Sequence, residues 1–435
     1  MKKKITKYLL LALACLGLQS CLFQEENYFD DSSANRATAD VNRCGELLKA
    51  APNGWVMEYY VGKDYSLGGI TLLCRFDGQR VTMASQMSEA DETVSSLYSV
   101  KSEQATMLSF DTYNYLVHYF GQPQGSMSDD PNGTLGGDYE FIISSASAER
   151  IELKGKKYGN RIVMKALTED QTWKQYLTKI KKVEDDAFFY EYDLLMDGLY
   201  TGQMLRSNYT FIVTYYDEIG KVHQKTVPFM FTADGLRFHE PVTIDGQTMQ
   251  NFVWKNELIS FVCTDEGATG VKLAGVYTAG YQSYDYYPGT YQMDFYRLND
   301  ETGQLEVASQ EVRLLKNEDG KSYWLKGLEY DILVMFDKPR GGLSVSPQLL
   351  KKVQGGYVYL AMWDVMNDYV LRNKSIGLIS YATTNGIYLV DNGVWMGEVS
   401  GFIFGVYNSQ EEDAAFIGYT DAVASIRLVK KTIEE

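Results

Sequence analysis

The residues best suited to catalysis are few in this chain and lie far apart along it. The sequence has three histidines, each isolated from the others: His118, His223 and His239. A zinc site or a Ser-His-Asp triad needs a histidine close to further ligands or partners, and no His-Glu-x-x-His motif occurs. The histidines are therefore predicted to be ordinary surface or core residues. The sequence indicates no metal site, no cofactor and no catalytic residue.

One short pattern imitates a nucleotide-binding motif. Gly320-Lys321-Ser322 matches the end of a phosphate-binding loop, in which backbone N–H groups and a lysine surround the phosphates. That loop needs an earlier glycine, and Leu315 stands in its place. The pattern therefore does not predict nucleotide binding.

Carboxylates are abundant, with 57 Asp and Glu residues in the chain. Glycoside hydrolysis needs two of them at a set separation across a cleft, which a linear sequence does not reveal. A hydrolase with a carboxylate pair therefore stays an alternative. Asp129, Asp130 and Asp138 flank a glycine-rich loop and offer the oxygen ligands that calcium prefers, but they lack the alternation of a calcium-binding loop. We interpret them as solvated loop acids.

Tyrosine is the outlier of the composition, with 34 residues beside 19 Phe and 6 Trp. The densest segment, YTAGYQSYDYYPGTY, covers residues 277–291 and holds four candidate ligand-binding residues: Tyr281, Tyr284, Tyr286 and Tyr287. Aromatic rings at a domain junction combine an apolar face with a hydroxyl, and clefts between domains favour ligands. The alternative is that these rings only hold two domains together, which is the commoner use of such residues.

The N-terminus has the features of an exported, lipidated protein. MKKKITKY opens the chain with four lysines, and the apolar run 9–18 is too short to span a bilayer as a helix. Leu18-Gln19-Ser20-Cys21 resembles the bacterial lipobox, in which the cysteine is acylated after cleavage. We therefore expect a signal peptide at 1–20 and a lipid anchor on Cys21.

The acids behind this cysteine indicate where the anchor holds the protein. Residues 21–30 form an acidic tether that resembles the export signal of Bacteroidetes lipoproteins displayed on the outer face of the outer membrane. We therefore expect an outer-membrane, lipid-anchored protein on the extracellular face. A net charge of −16 argues against nucleic acid as a partner. Cys44, Cys74 and Cys263 have apolar neighbours and are interpreted as buried thiols, with one disulfide plus one free thiol as the alternative.

The rest of the chain reads as mainly β. Apolar residues at spacings of three and four predict a helix over 31–50, and a second helix is predicted from Thr168 with Gln171 as its capping partner. Residues 112–120 fit a helix or a strand, and 347–353 fit a short helix or turn. Alternating strands and hairpin turns elsewhere predict antiparallel sandwich or small-barrel domains. We expect a helix plus β-rich domain or domains over 31–275 and an antiparallel β domain over 276–435.

Four blocks of sequence resemble a known family. YFDDSSANRATADVNRCGELLKAAPNGWVMEYY (28–60), FDTYNYLVHYFGQP (110–123), GGDYEFIISSASAERIELKGKKYGNRIVM (136–164) and FTADGLRFHEPVTIDGQTMQNFVW (231–254) are similar to the Bacteroidetes lipoprotein family named domain of unknown function 4302. That family has no assigned activity, so the resemblance implies no site residue. It implies an accessory lipoprotein of SusC/SusD-type outer-membrane importers.

These observations lead to one hypothesis and two alternatives. We expect a non-catalytic surface lipoprotein that binds a glycan or peptide, or serves as an accessory subunit beside an importer and its SusD-like lipoprotein. The alternatives are a surface hydrolase with a carboxylate pair and an adhesin or structural surface protein.

Overall fold

The computed structural model describes residues 32–123, 133–217, 219–411 and 413–431. Within these ranges the chain is mainly β, as predicted, and its strands form three antiparallel sheets, two of them closed barrels. The helices of the described residues are α1 (Ser33–Ala50), α2 (Tyr115–Gly121) and α3 (Trp173–Asp186). The predicted N-terminal helix and further helix are confirmed as α1 and α3, and α2 lies where the sequence left helix and strand open.

The first sheet closes into a barrel because β1 pairs with both β2 and β8. Its strands are β1 (Trp55–Val61), β2 (Gly68–Phe76), β3 (Arg80–Ser85), β4 (Val94–Ser102), β5 (Thr106–Phe110), β6 (Glu140–Ala146), β7 (Arg150–Gly155) and β8 (Arg161–Ala166). Side chains alternate along β1, so Trp55, Met57 and Tyr59 point into the barrel core. The residues between them face outward, yet the whole strand is buried. Another part of the chain must therefore cover the outside of β1.

Helix α1 packs across β2, β4 and β5 of this barrel. Ser32 caps its first turn, since the Asn35 N–H donates to Ser32 Oγ at 3.1 Å. At its other end, Trp55 Nε1 donates to the carbonyl of Leu48 at 2.8 Å. The helix is thus fixed by a cap at one end and by the first strand of the barrel at the other.

The second barrel covers the outside of the first, and α3 connects the two. Its strands are β9 (Glu191–Met196), β10 (Leu199–Ser207), β11 (Thr210–Tyr216), β12 (Val222–Phe231), β13 (Gly235–Ile244), β14 (Gln247–Lys255), β15 (Ser260–Cys263) and β16 (Val271–Val276). β9 pairs with β10 and β16, which closes the sheet. Gly68 lies against this barrel with a φ of +71°, and a Cβ there would come within 2.1 Å of the Tyr209 carbonyl oxygen. The two barrels are therefore in close backbone contact.

The start of α3 differs from the prediction. The helix begins at Trp173 and not at Thr168, because Thr172 and Gln175 form the capping box that was assigned to Thr168 and Gln171. Its apolar face serves both barrels. Leu177 packs with Val56 on the outside of the first barrel, whereas Ile180 belongs to the core of the second.

The third sheet contains the remaining strands. They are β17 (Gly289–Leu298), β18 (Leu305–Lys316), β19 (Ser322–Lys326), β20 (Ile332–Asp337), β21 (Gly342–Val345), β22 (Gln348–Val353), β23 (Gly356–Asp364), β24 (Tyr369–Leu371), β25 (Leu378–Thr383), β26 (Gly386–Asp391), β27 (Gly401–Tyr407) and β28 (Phe416–Lys430). The short helix or turn predicted over 347–353 is wrong, since this segment is β22. Its backbone pairs with β23 along the strand, which a local turn preference does not anticipate.

The three described cysteines are not joined by disulfide bonds. Cys44, Cys74 and Cys263 are free and buried in the structure. Burial raises the pKa of each thiol, that of Cys263 to about 11. Among the residues that the structure describes, no helix has the length and apolar content needed to cross a membrane.

Candidate functional site

Two of the four tyrosines predicted to bind ligand lie in the packing of the third sheet. Tyr287 is 1% exposed, and its hydroxyl donates to the Gly341 carbonyl at 2.8 Å. Tyr284 stacks on Tyr323 with ring centroids 4.7 Å apart, and its hydroxyl donates to the Ser322 carbonyl at 2.8 Å. Both rings use their faces and hydroxyl groups inside the fold.

The other two tyrosines lie at the edges of this region. Tyr281 stacks on Phe188, which follows α3, with centroids 6.1 Å apart, and packs against Tyr277 at 4.5 Å. Tyr286 is 41% exposed, and Lys430 Nζ lies 5.1 Å from the centre of its ring. The structure therefore does not bring the four rings together on one exposed face.

The other candidate residues are also placed by the structure. His118 stacks on Tyr139 at 4.6 Å, and His223 Nε2 lies 2.9 Å from Asp217 Oδ2. Asp138 is 4% exposed and accepts hydrogen bonds from the backbone N–H groups of Lys157 and Tyr158. In the described ranges, no three His, Cys, Asp or Glu residues cluster as metal ligands. Cys21, Asp129 and Asp130 lie outside the described residues.

A polar cleft lies between the two barrels and has a volume of about 540 Å³. β1, β7, β8 and the 3-10 turn 63–65 form its wall on the first barrel, and β13 and β14 form the opposite wall. The lining residues are Glu58, Tyr60, Tyr65, Arg150, Arg161, Val163, Arg237, His239, Glu240, Pro241 and Gln250. A volume of this size falls in the ~300–1,000 Å³ range of small-molecule sites.

Strand alternation explains why these side chains converge. On β1, Glu58 and Tyr60 lie two residues apart and both face outward, between the core residues Met57, Tyr59 and Val61. Glu58 is opposite Val163 of β8, and Val163 is opposite Glu152 of β7, so the outward face continues across three strands. On β13, Arg237 and His239 alternate in the same way with the core residues Leu236 and Phe238.

Glu58 is the centre of a buried charge network between the barrels. It is 7% exposed and accepts hydrogen bonds from Lys165 Nζ, at 2.7 Å, and from Arg237 Nη2 on the second barrel. Burial opposes the charge of Arg237, but Glu58 holds the pKa of this guanidinium above its ordinary value. Removing one partner of such a pair leaves an uncompensated charge in the interface.

A second carboxylate is shared in the same way at the edge of the first barrel. Glu152 Oε1 lies 3.1 Å from Arg150 Nη2 and 3.2 Å from Arg161 Nη2. Each of the two carboxylates thus serves two cations, which leaves each group with one surplus positive charge. The side chains of Arg150 and Arg161 are 43% and 63% exposed, against 27% for Glu152. The arginines are therefore the more accessible part of this group.

Three aromatic rings pack together on the cleft wall. His239 contacts Tyr60 and Tyr65 with centroid distances of 4.3 and 4.0 Å. Burial lowers the pKa of His239, and the positive charges of Arg237 and Arg161 lower it further against the opposing effect of Glu240. The imidazole is therefore held in its neutral form.

Tyr65 and Tyr60 each carry an unusual feature. Asp64 and Tyr65 have φ values of 54° and 59°, a left-handed conformation that costs a non-glycine residue about 1–3 kcal/mol and often occurs at functional sites. The Arg161 N–H donates to the Tyr65 hydroxyl at 3.3 Å and fixes this side chain. Burial raises the pKa of Tyr60, and the Arg237 guanidinium beside its hydroxyl opposes this, but no described residue accepts a hydrogen bond from the hydroxyl. Unsatisfied buried donors of this kind are uncommon and need an explanation.

The carboxyl groups that fit the general acid of a carboxylate-pair hydrolase lie away from the cleft. Such an enzyme needs a general acid whose pKa is raised. Burial raises the carboxyl pKa of Asp138, Asp193 and Asp421, and none of these three lines the cleft. Glu58 is occupied as the counter-ion of two cations.

Sequence reasoning missed this site, although the sequence contains a signal for it. WVMEYYV is an apolar strand interrupted by one glutamate, and GLRFHEPV places an arginine and a histidine at alternate positions between core residues. A charged residue inside a strand that is buried on both faces needs a partner. The identity of that partner depends on the contact between the barrels, which pattern reasoning does not supply.

The fold and cleft define a class of protein with two closed barrels, a third β-sheet and a charged cavity between the barrels. A family model described as a domain of unknown function, DUF4302, matches residues 25–256, which is more than half of the chain. The chain belongs to this family. A second model, also described as a domain of unknown function, DUF4987, matches residues 264–404.

No curated protein matches the chain. The chain is similar to a protein of unknown function from the DUF3598 family of Nostoc punctiforme, known from a crystal structure. The two are 8% identical, with a TM-score of 0.14, and the match covers 56% of this chain and 98% of that protein.

Proposed function

We propose that this chain is a non-catalytic, lipid-anchored protein of the bacterial outer membrane, displayed on the cell surface, that binds its ligand in the cleft between the barrels. The lipobox-like Leu18-Gln19-Ser20-Cys21 and the acidic residues behind it support the anchor and the address. The ligand is a glycan or a peptide. The protein hands it to a SusC/SusD-type importer as an accessory subunit.

The observation that carries the binding role is the composition of the interface between the barrels. Burying ions between two domains costs more than burying apolar groups of the same volume, so an interface that serves stability alone is better built from apolar residues. Here Glu58, Arg237 and Lys165 meet beside an open cavity, and the buried Tyr60 hydroxyl has no acceptor among the described residues. This arrangement is expected of a prepared polar binding site.

The anchor and the partners are tested together on the full-length protein. We expect palmitate to label the wild-type chain and not Cys21→Ala, and protease added to intact cells to digest the wild-type protein. A pull-down of the lipidated protein from outer membranes is expected to recover an importer and a SusD-like lipoprotein. Protection of the protein from protease in intact cells would contradict display on the cell surface. A pull-down that recovers neither partner would contradict the accessory role.

The cleft is tested by binding with matched variants. Glycan and peptide panels are screened against the full-length protein in detergent, and the tightest ligand is then titrated into Tyr65→Ala and Arg161→Gln. Arg313→Gln on the exposed face of β18 is the control, since it makes the same charge change far from the cleft in the sequence and on another sheet. Loss of binding in the cleft variants alone supports the site. Equal binding by all variants would contradict the cleft as the binding site, and conversion of the ligand to products would contradict the non-catalytic role.

A further inference from the structure

We infer that the cleft between the barrels binds an acidic glycan segment, with a carboxylate or sulfate group held by the guanidinium groups of the wall. The inference rests on the proposed function, because it names the ligand class of that same cleft. It goes beyond it in excluding neutral glycans and peptides as the main ligands.

Along the cleft wall, the arginine side chains are more exposed than the carboxylates they pair with. In both shared pairs the cation is more exposed than the carboxylate that balances it. Arg237 is 21% exposed against 9% for Glu58, and Arg161 is 63% exposed against 27% for Glu152. A ligand entering the cleft therefore meets the guanidinium groups first and the carboxylates behind them. Guanidinium groups recognise carboxylate and sulfate-like oxyanions through paired N–H donors.

The charge of the cleft lining contrasts with the net charge of the chain. The chain carries a net charge of −16, so an anion is repelled by the surface as a whole. Three arginines line this one cleft, and Glu240 is the one acid of its lining without a cation beside it in the structure described. Cations gathered in a concave site attract an anionic ligand to that site, although the protein surface as a whole is acidic.

The buried Tyr60 hydroxyl is a donor without an acceptor. Tyr60 is 3% exposed and its hydroxyl lies beside the Arg237 guanidinium, but no described residue accepts a hydrogen bond from that hydroxyl. Gly69 allows this placement, since a Cβ there would lie 2.7 Å from Tyr60 Cε1. Buried donors without acceptors stabilise a negative charge nearby, because the field of each N–H or O–H dipole is weakly screened in such a site. An anion in the adjacent cleft therefore offsets part of their cost.

The polar and aromatic lining of the cleft favours a glycan over a peptide. Apart from Val163 and Pro241, the lining is polar or aromatic, so a peptide would find no pocket for apolar side chains. The half-buried rings of Tyr65 and His239 face the cleft, and burial lowers the pKa of His239, so that its ring is neutral. Rings beside hydrogen-bonding groups match a sugar ring, which has apolar C–H faces and a polar edge.

The experiment compares charged and neutral glycans of equal length. The full-length protein in detergent is titrated with uronate oligosaccharides, sulfated oligosaccharides, neutral oligosaccharides of the same length, acidic peptides, and inorganic sulfate. We expect an acidic oligosaccharide to bind at least about tenfold more tightly than its neutral counterpart, as a hydrogen bond to a charged group predicts. The uronate and sulfate arms show which oxyanion is preferred.

Three variants link the preference to the cleft. Arg161→Gln, which alters an exposed side chain, is expected to weaken binding of the acidic oligosaccharide by about tenfold and to leave the neutral one unchanged. Arg237→Gln is expected to weaken it at least as much, and circular dichroism shows whether that variant is folded. Glu240→Gln is expected to strengthen binding severalfold, because it removes the opposing charge.

The outcomes separate the ligand class from the site. If a neutral glycan binds as tightly as the acidic one and Tyr65→Ala still abolishes binding, the acidic class is wrong and the cleft remains the site. If a peptide is preferred, the glycan class is wrong. If Arg161→Gln and Tyr65→Ala leave every binding constant unchanged, both the inference and the proposed binding site are wrong.

Discussion

The two junctions of the chain differ in where their charges lie. Between the first and second barrels, Glu58 is buried with Arg237 and Lys165 beside an open cavity. Between the second barrel and the third sheet, Tyr281 and Phe188 stack together, and Lys338 donates to Asp185 at the end of α3. The first junction buries a carboxylate beside a cleft, whereas at the second the rings stack and the ion pair is exposed, with Lys338 at 34% and Asp185 at 52%.

The difference shows how abundance in a sequence misleads about function. The tyrosines of 277–291 are conspicuous, yet Tyr284 and Tyr287 are used in the packing of the third sheet, and Tyr287 is only 1% exposed. The charged residues of the cleft are few, but Glu58 and Arg237 are placed where burial makes a charge costly. The position of a buried charge is therefore more informative about function than the number of aromatic residues.

The largest effect is expected from breaking the charge network at the first junction. Glu58→Ala leaves Arg237 without its carboxylate in the interface, so the free energy of unfolding should fall by about 3–5 kcal/mol. Urea denaturation of the full-length protein measures this change. Glu152→Ala is the matched control at an exposed pair, where a loss within about 1 kcal/mol is expected. An equal effect of the two substitutions would mean that Glu58 is not a buried counter-ion.

Replacing the pair with apolar residues should separate stability from binding. In Glu58→Leu/Arg237→Met both charges are removed together, so the unfolding free energy should return to within about 2 kcal/mol of the wild type, or exceed it. Binding of the cleft ligand should still be lost. A stable double variant that binds normally would contradict a role for the charges in recognition.

A smaller effect is expected at the second junction. Tyr281→Ala removes a ring that stacks on Phe188 and Tyr277, and should lower the unfolding free energy by about 1–3 kcal/mol. Limited proteolysis should cut faster between residues 277 and 288, while ligand binding at the cleft stays unchanged. Weakened binding with unchanged proteolysis would reverse the roles assigned to the two junctions.

The smallest effect is a dependence of stability on pH. Burial lowers the pKa of His239 in the folded state below its value of 6.5 in an unfolded chain. Its contribution is therefore fully present above about pH 6.5 and is lost as the pH falls through the folded-state pKa. His239→Gln should flatten the fall of unfolding free energy between about pH 7 and 5. His223→Gln is the control, and an identical slope in wild type and His239→Gln would contradict the assignment.

The architecture was largely accessible from the sequence, because it depends on local patterns. Strand patterns and hairpin turns indicated the β-rich body of the chain, and apolar residues at spacings of three and four over 31–50 indicated α1. The capping box of α3 was assigned too early, since Thr168-x-x-Gln171 and Thr172-x-x-Gln175 carry similar local signals and only the second meets the helix that packs on both barrels. Strand β22 was missed because its pairing with β23 is not encoded by the turn residues before it.

The cleft was not accessible, because it exists between units that the sequence does not place relative to each other. Glu58 and Arg237 are 179 residues apart, and their pairing follows from the contact of two separate barrels. The interrupted strand WVMEYYV pointed to a partner for Glu58 without naming it. By contrast, the ring cluster of 277–291 was visible in the sequence, but the burial that removes Tyr287 from solvent was not.

The most direct test of the account is the dissociation constant of one acidic oligosaccharide for two exposed-residue variants. Arg161→Gln changes the cleft, and Tyr286→Ala changes the most exposed of the four candidate tyrosines that pack at the third sheet. The account predicts that Arg161→Gln weakens binding about tenfold and that Tyr286→Ala leaves it unchanged. Loss of binding in Tyr286→Ala with normal binding in Arg161→Gln would contradict it, and would return the site to the tyrosine segment.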